Sequence, residues 1–124
     1  MVFQLAPTDY NAGIRHALQR GDITDAVRLA DRLLRNQLLT YPIGEEYAES
    51  YMLITAAYAK KHYYREGPVE GFFQSCQGPR RDELTKEYSQ LVFGDPMRVD
   101  ATMLHLDIPE SWLARLIHRV KQMF

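Results

Sequence analysis

The chain has 124 residues, 46% of them hydrophobic and 25% charged, with a net charge of −1, seven glycines and six prolines. Those proportions belong to an ordinary globular domain and speak against a disordered chain, a collagen-like repeat or a disulfide scaffold. A pI near 6.4 argues against a nonspecific nucleic-acid coat or a polybasic membrane anchor, and the length suits one domain around a single core.

Residues 1–7 carry no basic stretch and no long apolar run, so they do not read as a secretory signal. Thr8 or Asp9 can cap a first helix running to about Arg20, with Ile14, Ala17 and Leu18 on one face. Gly21-Asp22 ends it, and Asp22-Ile23-Thr24-Asp25 opens a second helix. Ala26, Leu29, Ala30, Leu33, Leu34 and Leu38 follow there at an amphipathic period. Tyr41-Pro42 stops that helix, because the residue before proline is pushed out of the α region. The turn at residues 17–22, followed by Ala26 and Leu29-Ala30, resembles the hairpin of a tetratricopeptide repeat. Such arrays recur at about 34 residues. No second copy follows, so the pair is read as an ordinary αα-hairpin.

The third helix is expected from Ile43 or Gly44 to Arg65. Glu45, Glu46 and Glu49 stand in its first turns, and Lys60, Lys61, His62 and Arg65 in its last, as the helix dipole favours. Between them Tyr47, Ala48, Tyr51, Met52, Leu53, Ile54, Ala56, Ala57, Tyr58 and Ala59 leave almost no polar face. A helix apolar all round must be covered on most sides. This one is therefore expected to lie at the centre, wrapped by the other helices or by a second copy.

Gly67-Pro68 reads as a break, residues 69–76 as a short segment carrying Phe72-Phe73, and Gly78-Pro79 as another break. Residues 80–93 predict a further helix with Leu84, Tyr88, Leu91 and Val92 on one side, ended by Gly94-Asp95-Pro96. A short helix is expected over 97–106. Asp107 and Glu110, at capping-box spacing, open a last one with the stripe Trp112, Leu113, Leu116, Ile117, Val120 and Met123. No segment alternates as a strand does, and none approaches the about 18 apolar residues of a membrane span. The expected fold is all-α: a single-domain helical bundle of five or six helices with a long central helix, covering residues 1–124.

The sequence offers little chemistry. His16, His62, His105 and His118 stand at no zinc spacing, and no Glu-x-x-His accompanies the acids at 45, 46 and 49. Phosphate-binding glycine motifs and a Gly-x-Ser-x-Gly elbow are missing. Neither a metal nor a cofactor is expected, and no residue is assigned a catalytic role. Cys76 is the single cysteine, expected as a small buried apolar side chain in a reducing, cytoplasmic setting.

Two features point to macromolecular binding. Arg28, Arg32 and Arg35 form a row at i, i+4, i+7 opposite the apolar stripe of the second helix, and guanidinium forks suit acidic surfaces. Tyr47, Tyr51 and Tyr58 share a side of the third helix, with Tyr63, Tyr64, Phe72 and Phe73 following. Together they predict a non-enzymatic regulatory or adaptor protein that binds another protein, or itself as a homodimer. The aromatics would supply burial and the arginines orientation. The alternative is a DNA-binding transcriptional regulator. Residues 99–120, with their turn at 107–109, resemble a helix-turn-helix that would present Ser111, Arg115, His118 and Arg119 to DNA. Asp107 stands where that motif usually has glycine and Met103 where it has a small residue, and a hairpin closing the bundle predicts the same apolar spacing.

Overall fold

A computed structural model describes residues 7–98, with side chains from residue 9 onward. Five α-helices follow one another: α1 (Pro7–Gln19), α2 (Ile23–Gln37), α3 (Glu45–Lys60), α4 (Glu66–Ser75) and α5 (Pro79–Phe93). No strand occurs among the described residues, so the all-α expectation holds. No helix among them is long and apolar enough to cross a membrane. The helices expected over 97–106 and after Asp107 fall, apart from Met97 and Arg98, outside the described residues.

Two residues set the α1–α2 hairpin. Gly21 takes a left-handed φ of 79°, and the Gly21 and Asp22 amides donate back to the Leu18 and Ala17 carbonyls at 3.2 and 2.8 Å. This six-residue closure satisfies carbonyls that the end of α1 would otherwise leave open. The Asp22 carboxylate then accepts from the Asp25 amide at 3.0 Å and caps α2.

Helix α3 packs against all four other helices, and α1 additionally packs against α2 and α5. The shared core draws Ile14 from α1, Leu33 from α2, Met52 and Ile54 from α3, Phe72 from α4 and Tyr88 from α5. From Ser50 to Ala59 no side chain of α3 reaches solvent appreciably. With 16 residues it exceeds α2 and α5, at 15 each, by a single residue, so its central place comes from packing rather than from length.

The expected end of α3 at Arg65 is corrected to Lys60. His62 sits at φ 59°, and the His62 and Tyr63 amides donate to the Ala59 and Tyr58 carbonyls at 3.0 and 2.9 Å. This is the same closure that ends α1, with histidine where glycine is usual. A histidine there gives no stop signal in the sequence, although its side chain tolerates the left-handed region better than a β-branched one does.

Gly67-Pro68, expected as a break, instead occupies the first turn of α4, where proline's missing N–H has no helical partner to lose. Arg81 fastens the other end of α4. Its guanidinium donates to the Phe73 and Cys76 carbonyls at 2.7 and 3.0 Å and lies 4.7 Å from the centre of the Phe73 ring. Inside α4, Gly71 lets the backbone close on the buried Tyr51 ring. A Cβ there would stand 2.7 Å from two ring carbons of Tyr51. That ring cannot retreat, being fully buried with its hydroxyl donating to the Pro42 carbonyl at 2.6 Å. Gly71→Ala is therefore expected to destabilise the fold by about 1–3 kcal/mol through overpacking, read as a lower midpoint in urea unfolding at unchanged slope. An unchanged midpoint would contradict the tight α3–α4 contact.

Candidate functional site

The aromatic half of the predicted surface lies inside. Tyr51 is 0% and Tyr58 2% exposed, and Tyr47 is half-buried against the core. Besides the Tyr51–Pro42 bond, the Tyr58 hydroxyl donates to the Asp31 carboxylate, and its ring meets Tyr63 edge-on with centroids 5.4 Å apart. The expectation that Tyr51 and Tyr58 present an interface is corrected: each has a polar partner for its hydroxyl within the chain, so neither needs water or a second molecule.

Burial pushes the Tyr51 phenol up to about 12, helped by the neighbouring Tyr41 and Tyr47. Burial also raises Tyr58, and Asp31 raises it further. A phenol whose folded value lies above its unfolded one keeps its proton longer in the native state. Its contribution to stability is complete below pH 10, the ordinary value, and fades as the pH rises toward 12 because the unfolded chain releases protons first. Titration at 295 nm should therefore show two tyrosine classes. The late class is expected to ionise only together with loss of helicity, and to shrink in the Tyr51→Phe/Tyr58→Phe double variant, which lacks both phenols. Ionisation of all tyrosines as one ordinary class in the folded chain would place these rings outside.

The arginine row divides. Arg28 is bound to Asp25, whose carboxylate Arg20 also reaches at 2.9 Å. The hydrogen bond from Arg28 is the main reason that Asp25 is held below the usual carboxylate range. Arg32 and Arg35 are exposed and stand within ion-pair distance of no carboxylate among the described residues. Arg28 is therefore engaged locally, and the outward charge belongs to the other two.

Beyond Arg35 the surface continues into a notch of about 130 Å³ lined by Asp31, Leu34, Arg35, Leu39 and Arg65. Leu39, in the α2–α3 connection, is 63% exposed at its edge. Arg65 precedes α4 in an extended conformation, near Tyr41 and Tyr58. Tyr41 is held at a left-handed φ of 52°, which costs a non-glycine residue about 1–2 kcal/mol. Its ring covers Gly67 so closely that a Cβ there would stand 2.4 Å from it. The notch thus joins the end of α2 to the two loops flanking α3. Sequence reasoning missed Leu39 and placed Arg65 in the last turn of α3. The available signal was Leu39 itself, an apolar residue one step outside the stripe that ends at Leu38.

A second cluster, also missed, ties three helices. The Arg15 guanidinium on α1 donates to Glu87 on α5 through two nitrogens, at 3.1 and 2.8 Å, and to Glu49 on α3. The hydrogen bond to Glu87 is the leading reason that Arg15 holds its proton even more firmly than usual, against the opposing effect of burial. All three side chains are about one-third exposed or less. With its single cation already shared between two carboxylates, this cluster fixes helix positions.

Cys76 is buried, its thiol lies 3.5 Å from the Phe72 carbonyl, and burial pushes it up from its ordinary value. A thiol held protonated in this way is a poor nucleophile. Among the described residues no group of three His, Cys, Asp or Glu side chains is placed to hold a metal ion. Ser111, Arg115, His118 and Arg119 lie outside the described residues. Comparison of the chain with protein-family models, with curated proteins and with solved structures finds no match.

Proposed function

We propose that this chain is a non-enzymatic regulatory or adaptor protein that works by binding another protein, and that its contact surface is the outer edge of α2. The observation that carries the reading is the pair Arg32 and Arg35, exposed on one helix edge without a carboxylate partner among the described residues and running into the exposed Leu39. Guanidinium groups are weakly hydrated and bind carboxylates through two parallel hydrogen bonds, so they are well suited to an acidic protein surface. Their charge would steer the encounter and set orientation, while the apolar edge supplies burial.

The mechanism on this reading is steric: the rigid bundle occupies a partner's surface. A second copy of the chain is not required, since α3 is already covered by its own neighbours. A reducing, cytoplasmic setting belongs to the same reading, as Cys76 is the single cysteine.

Panning a random peptide library against the immobilised chain tests this. The retained peptides are expected to be enriched in Asp and Glu. Arg32→Glu/Arg35→Glu should weaken their binding about tenfold or more, roughly 1.4 kcal/mol, at unchanged helicity. Retention of peptides without acidic bias, or binding indifferent to the double reversal, contradicts the reading.

A further inference from the structure

We propose that the notch bordered by Arg35, Leu39 and Arg65 anchors an acidic peptide segment in which an aliphatic side chain lies beside one carboxylate. This rests on the protein-binding reading above and names the chemistry of the partner.

The charge of the notch sets the anion. Arg35 and Arg65 bring two guanidinium groups to its lining, against Asp31 as the single carboxylate there. One oxygen of Asp31 already accepts the Tyr58 hydroxyl. The balance is one positive charge, which matches a single carboxylate better than a phosphate dianion. Arg65 has N–H groups to offer, because a guanidinium carries five and Arg65 stands in no ion pair among the described residues.

The apolar part of the notch sets the neighbouring side chain. Leu34 is buried at its base while Leu39 stands open at its edge. An aliphatic residue placed there would cover Leu39 and remove water from around both guanidinium groups, strengthening their hold on the adjacent carboxylate. A phosphodiester backbone offers nothing to Leu39, and a lipid headgroup would need a broader basic surface than one net charge.

The walls are set before any ligand arrives. Tyr41, near Arg65, holds its left-handed conformation over Gly67, and Asp31 is tied to the buried Tyr58. Strained backbone held by its surroundings in this way is common at ligand clamps. A preset wall lowers the ordering cost of binding.

The test uses fluorescence anisotropy with the full chain and a short labelled peptide carrying one leucine between glutamates. The same peptide with serine for leucine is the comparison. Leu39→Ser alters an exposed side chain and should leave the fold intact, as circular dichroism will show. Leu39→Ser and the serine peptide are each expected to weaken binding about tenfold, and to weaken it little further when combined, because they remove the same contact. Arg65→Lys, which keeps the charge but loses the fork, should weaken binding severalfold. Binding that is lost in Arg32→Glu/Arg35→Glu but indifferent to Leu39→Ser and Arg65→Lys overturns the notch and leaves the protein-binding reading standing. No binding of either acidic peptide at low salt overturns both. Anionic vesicles or duplex DNA that bind more tightly than the peptide, with the same dependence on Leu39, overturn the assignment to a peptide.

Discussion

From Ser50 to Ala59 every side chain of α3 is covered, and each other helix must supply part of that cover. The constraint is geometric as well as energetic. Full burial of a side chain such as Leu53, Ile54 or Met52 contributes about 1.5–3 kcal/mol, so leaving any side of α3 open would cost several such terms. Alanines at 48, 56, 57 and 59 keep the helix narrow enough for neighbours to approach from every direction. Gly71 provides a close approach of α4, along the Tyr51 ring.

Polar groups inside such a core must find partners, and their pairing fixes the helices against sliding. The Ser50 hydroxyl donates to Asn11 at 2.8 Å, linking α3 to α1. Tyr58 reaches α2 through Asp31, and Tyr51 reaches the α2–α3 connection through Pro42. Arg15 joins α1, α3 and α5 through Glu49 and Glu87. A buried donor or acceptor left unpaired costs about 1–3 kcal/mol, so each of these bonds penalises a register in which it is broken. The tyrosines thus act as internal fasteners, and the binding surface falls to the outer edge of α2 and the loops beside it.

Helix class and the breaks at Gly21-Asp22 and Gly78-Pro79 were readable because each rests on local chemistry: an apolar period, a cap, a glycine free to turn. The end of α3 was not readable, because His62 fills a left-handed position without announcing it. Gly67-Pro68 misled in the opposite sense, since the same pair can stop one helix or start the next. The covered α3 was visible in its lack of a polar face, yet the identity of its cover was not. That depends on contacts far apart in the chain, as does the Arg15 cluster, whose partners lie 34 and 72 positions away. For the candidate surface, the arginine row was visible and its division was not, because Asp31, one turn before Arg35, is engaged by Tyr58 from 27 positions away.

What distinguishes this fold from one that needs a second copy is where the cover on α3 comes from. Amide hydrogen exchange across α3, measured at two protein concentrations a hundredfold apart in the same buffer, about the range over which a dimer dissociates by mass action, addresses this directly. The amides of residues 52–59 should be among the slowest in the chain, with rates independent of concentration. Protection in that stretch that falls on dilution, or exchange there as fast as in the loops, would mean that its cover does not come from its own chain.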